Sequence, residues 1–285
     1  MIDYQKLMDW RFPPITHTLT RRDCILYALG VGLGGDPLDA AQLRFLYEEG
    51  LVALPTMAVV LAYPGFWVKD PATGIDWVRV VHGEQALTLH RPLPVEGKLV
   101  GRTRVTGIVD KGAGKGAVLY SEREIRDAAS EELYATLATS TFCRGDGGFG
   151  GPTGPSWPVH LVPERAPDAT CDLPTLPQQA LIYRLSGDYN PLHADPAVAR
   201  AAGFDRPILH GLCTLGIAGH ALLKLCCGYD PARFKSLTLR FSAPVFAGET
   251  IRTEIWRDGK TVTFRARALE RNVIVLNNGR FTVAE

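Results

Sequence analysis

Residues 145–158, GDGGFGGPTGPSWP, combine glycine and proline too densely for a helix or a central strand to pass through them. A second polar, proline-bearing run follows at residues 166–177. Together they predict a linker over residues 145–178, between a first half at residues 1–144 and a second half at residues 179–285. Each half must then bury its own apolar faces or share them with the other. With 46% of its 285 residues hydrophobic, the chain has the apolar side chains for a sizeable core.

The second half has a clear order of elements. Residues 211–226 place Leu212, Leu215, Ile217, Ala218, Ala221, Leu222 and Leu225 on more than one helical face, so this helix is expected to be buried. Strand-like runs follow at residues 234–241, 250–256, 261–269 and 273–283. Asp258 with Gly259, and the NNG at residues 277–279, are the expected turns. A buried helix followed by an antiparallel meander suggests a sheet wrapped around a helix.

The first half repeats this order more loosely. A short apolar helix is expected at residues 55–63, then strands at residues 77–89, 99–109, 117–127 and 133–143. The turns at residues 92–97 (PLPVEG) and 243–248 (APVFAG) overlay at equivalent points, which together with the matched order indicates internal duplication. Upstream, Thr20 and Asp23 stand at capping-box spacing for a helix over residues 20–30.

Charge excludes some partners. The 31 Lys and Arg against 30 Asp and Glu leave a formal net charge of +1, with no basic run for nucleic acid or an anionic membrane surface. No stretch approaches the ~20 apolar residues that span a bilayer. The six cysteines lack CxxC spacing and are expected to be free thiols in a reducing compartment. The seven histidines show no metal-ligand spacing, and neither a metal nor an organic cofactor is expected. Residues 1–14 lack a signal-peptide pattern and residues 282–285 carry no peroxisomal address, so a cytoplasmic protein is expected.

The chemistry is concentrated in residues 187–196, GDYNPLHADP. Pro191 biases Asn190 away from helical geometry, while Asp195 and Pro196 fit the cap and first position of a short helix running to about Ala202. Asp188 and His193 therefore lie in a constrained loop that can aim a carboxylate and an imidazole at one small volume. Such a pair around one water supplies what hydration of an activated alkene needs, a proton taken as water attacks C3 and a proton delivered to C2. Residues 203–214, GFDRPILHGLCT, supply the complement. Gly211 opens the buried helix, where unpaired backbone N–H groups and the helix dipole suit a thioester oxygen gaining negative charge. One good donor there lowers the barrier by about 3 kcal/mol. His210 is assigned a structural or positioning role beside it.

These two segments resemble the signature of the (R)-specific, type 2 enoyl-CoA hydratases of the MaoC-like family, which include the hydratase part of the peroxisomal multifunctional enzyme. The resemblance extends to residues 27–32 (YALGVG), 54–56 (LPT), 81–85 (VHGEQ) and 92–94 (PLP), and so covers nearly the whole chain. It implies an α+β double hot-dog fold, two antiparallel sheets each wrapped on a central helix. It implies syn hydration of trans-2-enoyl-CoA to (3R)-3-hydroxyacyl-CoA without metal or redox cofactor. Carried over by position, Asp188 and His193 hold the water, the Gly211 N–H binds the thioester oxygen, and Asn190 holds the loop or assists the water. The order of acid and base between Asp188 and His193 stays open. His82, Gly83 and Phe204 are marked as substrate contacts by their place in the same motifs. The first half lacks the Asp–His pair and is expected to be catalytically silent, lying on the acyl-chain side. Its short helix, interrupted by Pro64 and Gly65, leaves room for a long or bulky chain. An acyl-CoA substrate and a homodimer are the implied partners.

Two rival readings start from the same residues. A hot-dog thioesterase would aim the water at the carbonyl carbon, but the arrangement of Gly187, Asp188, Asn190, Pro191 and His193 is not typical of that class. A non-catalytic acyl-thioester-binding protein would have no need of intact Asp188, His193 and Gly211. Residues 111–115 (KGAGK) lack the spacing and following Ser/Thr of a phosphate loop and are expected to be a hairpin turn. His82 and Glu84 would share one face of a regular strand, as part of a structural network.

Overall fold

The computed structural model describes residues 2–154 and 156–284. Its strands are β1 (Ile15–Leu19), β2 (Val80–Leu89), β3 (Gly97–Asp110), β4 (Ala117–Asp127), β5 (Leu133–Cys143), β6 (Ala169–Pro174), β7 (Phe234–Phe241), β8 (Thr250–Asp258), β9 (Thr261–Ala268) and β10 (Val273–Val283). Its helices are α1 (Tyr4–Met8), α2 (Arg21–Gly30), α3 (Ala40–Leu43), α4 (Gln179–Tyr183), α5 (Pro196–Ala201) and α6 (Gly211–Cys227). The expected capping box is present, Thr20 accepting from the Asp23 amide while the Asp23 carboxylate accepts from Thr20 N–H.

The strands form one ten-stranded sheet in the order β1-β3-β4-β5-β2-β7-β10-β9-β8-β6. This order is mirrored about the antiparallel β2–β7 pair, which joins the halves in a register matching Gln85 with Leu239 and Leu87 with Leu237. Each half contributes five strands in equivalent places, the layout that a duplication leaves. The two expected sheets are thus continuous across their adjoining edges, because pairing β2 with β7 satisfies two rows of backbone groups at once.

The mirror also explains part of the linker. Residues 169–174 form the edge strand β6 on β8, the counterpart of β1 on β3, so the linker is not structureless throughout. Its glycine-rich start is pinned by Asp110, whose carboxylate accepts the amides of Gly112, Gly148 and Gly150 at 2.7–2.9 Å. Residues 111–116 turn between β3 and β4, with Lys111 N–H on Gly116 O.

Helix α6 is buried from Cys213 through Leu223 and touches both halves. Glycine makes this close approach feasible. A Cβ at Gly216 would lie 2.5 Å from Val31 of the first half, and one at Gly219 would lie 2.4 Å from Thr56. One hydrophobic core accordingly runs through both halves, including Tyr27, Phe45 and Leu54 with Leu222, Phe264 and Phe281. The first half has no equal to α6. Its apolar segment is a 3-10 turn, Pro55–Val60, after which Leu61 is extended and Pro64 and Gly65 prevent continuation.

The NNG motif is not a turn between strands. It lies inside β10, where the register with β9 shifts between Leu276 and Gly279 and Asn278 adopts φ +54°. The same left-handed tolerance that marks a turn here accommodates a bulge. The β9–β10 turn falls instead at residues 269–272, with Asn272 at φ +53°.

Candidate active site

The loop that carries Asp188 and His193 is built by local rules. Helix α4 continues into a 3-10 turn, Arg184–Ser186, which ends on Gly187 at φ +121°, a conformation that strongly favours glycine. Asp188 follows immediately. Its Oδ1 accepts the Asn190 amide at 3.2 Å, and Asn190 Oδ1 in turn accepts the Leu192 amide at 3.1 Å. Pro191 then opens a single 3-10 turn, Pro191–His193, and Asp195 caps α5 through the Ala197 amide. Asn190 is exposed and holds the loop through these turns.

His193 is buried, and its Nδ1 lies 2.8 Å from Ile208 O. A carbonyl can only accept, so Nδ1 carries the proton and the neutral ring keeps its lone pair on Nε2. Burial lowers the His193 pKa from the usual value, opposed by the Ile208 hydrogen bond and by Asp188. The ring is therefore neutral at neutral pH, with its basic nitrogen free.

His210 caps the start of α6 and stacks on His193, ring centroids 3.7 Å apart. Its Nε2 donates to the backbone carbonyl of Asp188 at 3.1 Å. Burial and the neighbouring His193 hold its imidazole well below the usual range. His210 thus fastens the Asp188–His193 loop to the head of α6. One donor atom each from Asp188, His193 and His210 lies within 4.8 Å of the others, close enough to share one water and also close enough to hold a metal ion.

Gly211, the first residue of α6, is half-buried, and its amide donates to no acceptor among the described residues. Phe241, at the end of β7, bounds this amide: a Cβ on Gly211 would lie 3.2 Å from the ring. The same ring packs on His82 of the first half at 4.5 Å. Burial lowers the His82 pKa to about 4 even though Asp188 raises it, and its buried Nε2 has no hydrogen-bond partner among the described residues. Both halves therefore meet at the site through the β2–β7 junction.

The structure brings Asp188, His193, His210 and Gly211 together and sets His82 beside them. Gly83 is the bulge of β2 between His82 and Glu84, so the alternation that would place those two on one face is broken. Glu84 accepts from Ser140 Oγ, apart from His82's contact with Phe241. Phe204 closes α5, its amide on Ala199 O. Sequence reasoning missed Phe241 and the Ile208 carbonyl. The alternation of β7 placed Phe241 on a strand without telling what its ring meets, and a backbone acceptor has no sequence signature.

Beside Gly187 lies a cavity of about 190 Å³ between residues 185–187 and the first half, walled by Leu26, Met57, Val60, Leu61, Leu185 and Ser186. An open cleft of about 380 Å³ flanks Arg206, with Phe246, Glu249 and Arg271 in its lining.

A loop carrying Asp188 and His193, fastened to a helix N-terminus at the junction of two hot-dog halves, defines a MaoC-like architecture, and the "MaoC like domain" family matches residues 159–278. The "MFE-2 hydratase 2 N-terminal domain" matches residues 17–145. The chain is 39% identical over 293 residues to "Enoyl-CoA hydratase 2, peroxisomal" of Arabidopsis thaliana, covering 95% of this chain and 92% of that protein. A solved MaoC-like dehydratase from Phytophthora capsici is 35% identical with a TM-score of 0.88, covering 100% of this chain and 98% of the other. A Mycobacterium tuberculosis structure described as a double hotdog fold is 17% identical with a TM-score of 0.59, over 99% of this chain and 98% of the other, and bears on the fold alone. The chain belongs to the MaoC-like, type 2 enoyl-CoA hydratase family, with a double hot-dog fold, and is an enzyme of the hydro-lyase class. No helix among the described residues is long and apolar enough to cross a membrane.

Proposed function

We propose that the enzyme catalyses the reversible syn hydration of trans-2-enoyl-CoA to (3R)-3-hydroxyacyl-CoA. The observation that carries this reading is the tautomer of His193. With Nδ1–H on Ile208 O, the Nε2 lone pair is left free, and a ring nitrogen of His193 lies within 4.8 Å of the Asp188 carboxylate, a spacing suited to one water held by the pair. As the water oxygen bonds to C3, one of its protons passes to the pair, and the pair returns a proton to C2 on the same face. The electron pair of the alkene moves onto the thioester oxygen in the enolate-like state, where the Gly211 amide stabilises it, and comes back to C2 on protonation.

In this reading the first half supplies no proton-transfer group. It supplies the cavity beside Gly187 for the acyl chain, opened where the 3-10 turn Pro55–Val60 stands in place of a long helix. The half-buried His82 and Gly83 lie on the substrate side of the β2–β7 junction, and Phe204 borders the approach past α5. CoA is the carrier, the relative from Arabidopsis being named as an enoyl-CoA enzyme. The free thiols support a reducing compartment such as the cytoplasm, and the edge strands β1 and β6 leave backbone that a homodimer would cover.

The test follows loss of the conjugated enoyl-thioester absorbance with crotonyl-CoA and trans-2-decenoyl-CoA, coupled to an (R)-specific 3-hydroxyacyl-CoA dehydrogenase. Asp188→Asn and His193→Gln are each expected to lower kcat by a factor of roughly 10²–10⁴. Wild-type rates in Asp188→Asn would refute the assignment, and product oxidised only by an (S)-specific dehydrogenase would refute the stereochemistry.

A further inference from the structure

The first-half turn Pro55–Val60 ends abruptly, and two side chains take the backbone groups that its end leaves over. Leu61 is extended at ψ 136°, so the next 3-10 bond, from the Ala62 amide to Val59 O, is not made. Val59 O accepts instead from Arg123 Nη2 at 2.7 Å, and the Ala62 amide donates to His17 Nδ1 at 3.4 Å. Ala62 adopts φ +44°, a left-handed conformation uncommon for a residue with a Cβ and kept only where the surroundings impose it. Its carbonyl lies so close to β3 that a Cβ on Gly101 would be 2.6 Å from it. Val60 and Leu61 stand between these fastenings and form part of the wall of the cavity beside Gly187.

An arginine is an unusual residue for such a fastening. Arg123 lies on β4, is 9% exposed, and its buried Nε has no hydrogen-bond partner among the described residues. Arg102, Arg104 and Arg126, on β3 and β4, each pair with a glutamate. Arg123 has instead the Val59 carbonyl and the face of the Tyr63 ring, 5.3 Å from its guanidinium. Burial lowers its pKa to about 10, with Tyr63 opposing, so the group stays charged at neutral pH. A buried charge without an acidic partner destabilises a fold, and an apolar side chain of similar volume is commonly tolerated in its place. Stability therefore does not account for Arg123, whereas the place of the segment it grips does.

We propose that Arg123 is a specificity-determining positioning residue, which governs the acyl chains accepted by fixing the Val59–Tyr63 segment and with it the Val60 and Leu61 wall of the cavity. The proposal rests on the hydratase reading, in which that cavity takes the acyl chain. The two contacts of Arg123 act at opposite ends of the segment, the hydrogen bond on Val59 and the ring contact on Tyr63. Without them the wall between loses its fixed place, and chains long enough to reach it lose ordered contacts.

The experiment measures kcat/KM for trans-2-decenoyl-CoA relative to crotonyl-CoA, whose chain ends one carbon beyond C3. The ratio is taken within each variant, so a general loss of activity cancels. Arg123→Met is expected to lower it by roughly tenfold, the discrimination given by about one methylene contact, and mainly through KM. Arg123→Lys, which keeps the charge and a donor for Val59 O, should recover most of the wild-type ratio. Tyr63→Leu removes the exposed ring and leaves the hydrogen bond, so it should lower the ratio by less, and it carries the test if Arg123→Met does not fold. Val60→Phe alters the wall itself and shows whether the cavity takes the chain. A lowered ratio in Val60→Phe beside a wild-type ratio in Arg123→Met, or in Tyr63→Leu where the former does not fold, overturns the proposal and leaves the hydratase reading intact. Wild-type ratios in every variant overturn the proposal together with the part given to the cavity. Hydration of neither substrate by wild type overturns the hydratase reading itself.

Discussion

Alanine at position 211 puts the oxyanion assignment under direct strain. The added Cβ would lie 3.2 and 3.3 Å from two carbons of the Phe241 ring, closer than ordinary contact by a few tenths of an ångström. The ring is packed on His82, and α6 is buried from Cys213 through Leu223, so neither neighbour retreats freely. The displacement therefore falls on the first turn of α6, which carries the Gly211 amide. A well-placed oxyanion donor contributes about 3 kcal/mol to the barrier. Losing half of that slows kcat by roughly tenfold, and losing all of it by roughly a hundredfold or somewhat more. Stability should not fall in parallel, because alanine favours a helix over glycine by up to ~1 kcal/mol. The assay is steady-state hydration of crotonyl-CoA alongside thermal unfolding of the same samples. Phe241→Leu in the Gly211→Ala background should recover part of the rate by making room. Wild-type kcat in the single variant would refute the donor assignment, and a double variant no faster than the single would refute the part given to the ring.

Two further outcomes follow from the buried histidines. If neutral His193 shares the water, kcat/KM should stay level as pH falls to the ordinary histidine value near 6.5, because burial holds the folded pKa below it. The acid limb then lies lower still, and a limb centred above pH 6.5 would contradict a neutral, buried His193. His220, buried and hydrogen-bonded to Tyr229 Oη at 2.9 Å, has its pKa lowered to about 4, chiefly by burial. Below pH 6.5 the unfolded chain binds a proton there that the folded chain refuses, so stability falls with acidification down to about pH 4. Between pH 7 and pH 5 that loss is about 2 kcal/mol. Urea unfolding of His220→Gln at both pH values should show a drop smaller by that amount, and an unchanged drop would refute it.

Much of this was legible in the residues because local rules and tertiary structure agree. Alternation and turn residues located most of the strands, Thr20 and Asp23 announced their capping box, and Gly187, Asn190, Pro191 and Asp195 dictated the Asp188–His193 loop almost alone. Reading failed where one local preference serves two structures. Asparagine and glycine at residues 277–279 suit a turn or a bulge, and only the pairing of β10 with both neighbours decides. The edge strand β6 was hidden in a polar, proline-bearing run because an edge strand has only one neighbour to satisfy. Contacts across the halves were illegible in principle. That Phe241 lies between His82 and Gly211 depends on the β2–β7 register, which neither half specifies by itself.

That register also explains why a half without the Asp–His pair is retained. Removing the first half would expose the edge of β7 along the positions that pair with β2 and uncover the faces of α6 at Gly216 and Gly219 that receive Val31 and Thr56. It would also remove His82 from Phe241 and the Met57, Val60 and Leu61 wall from the cavity beside Gly187. The groups that would transfer protons sit in the second half, whereas the surfaces that shape their surroundings come from the first. The two halves carry equivalent strands, and where the second half has α6 the first has a 3-10 turn that borders the cavity beside Gly187. The divergence between the halves is therefore what gives the site its cavity, and the continuous sheet is what holds the divergent halves in register.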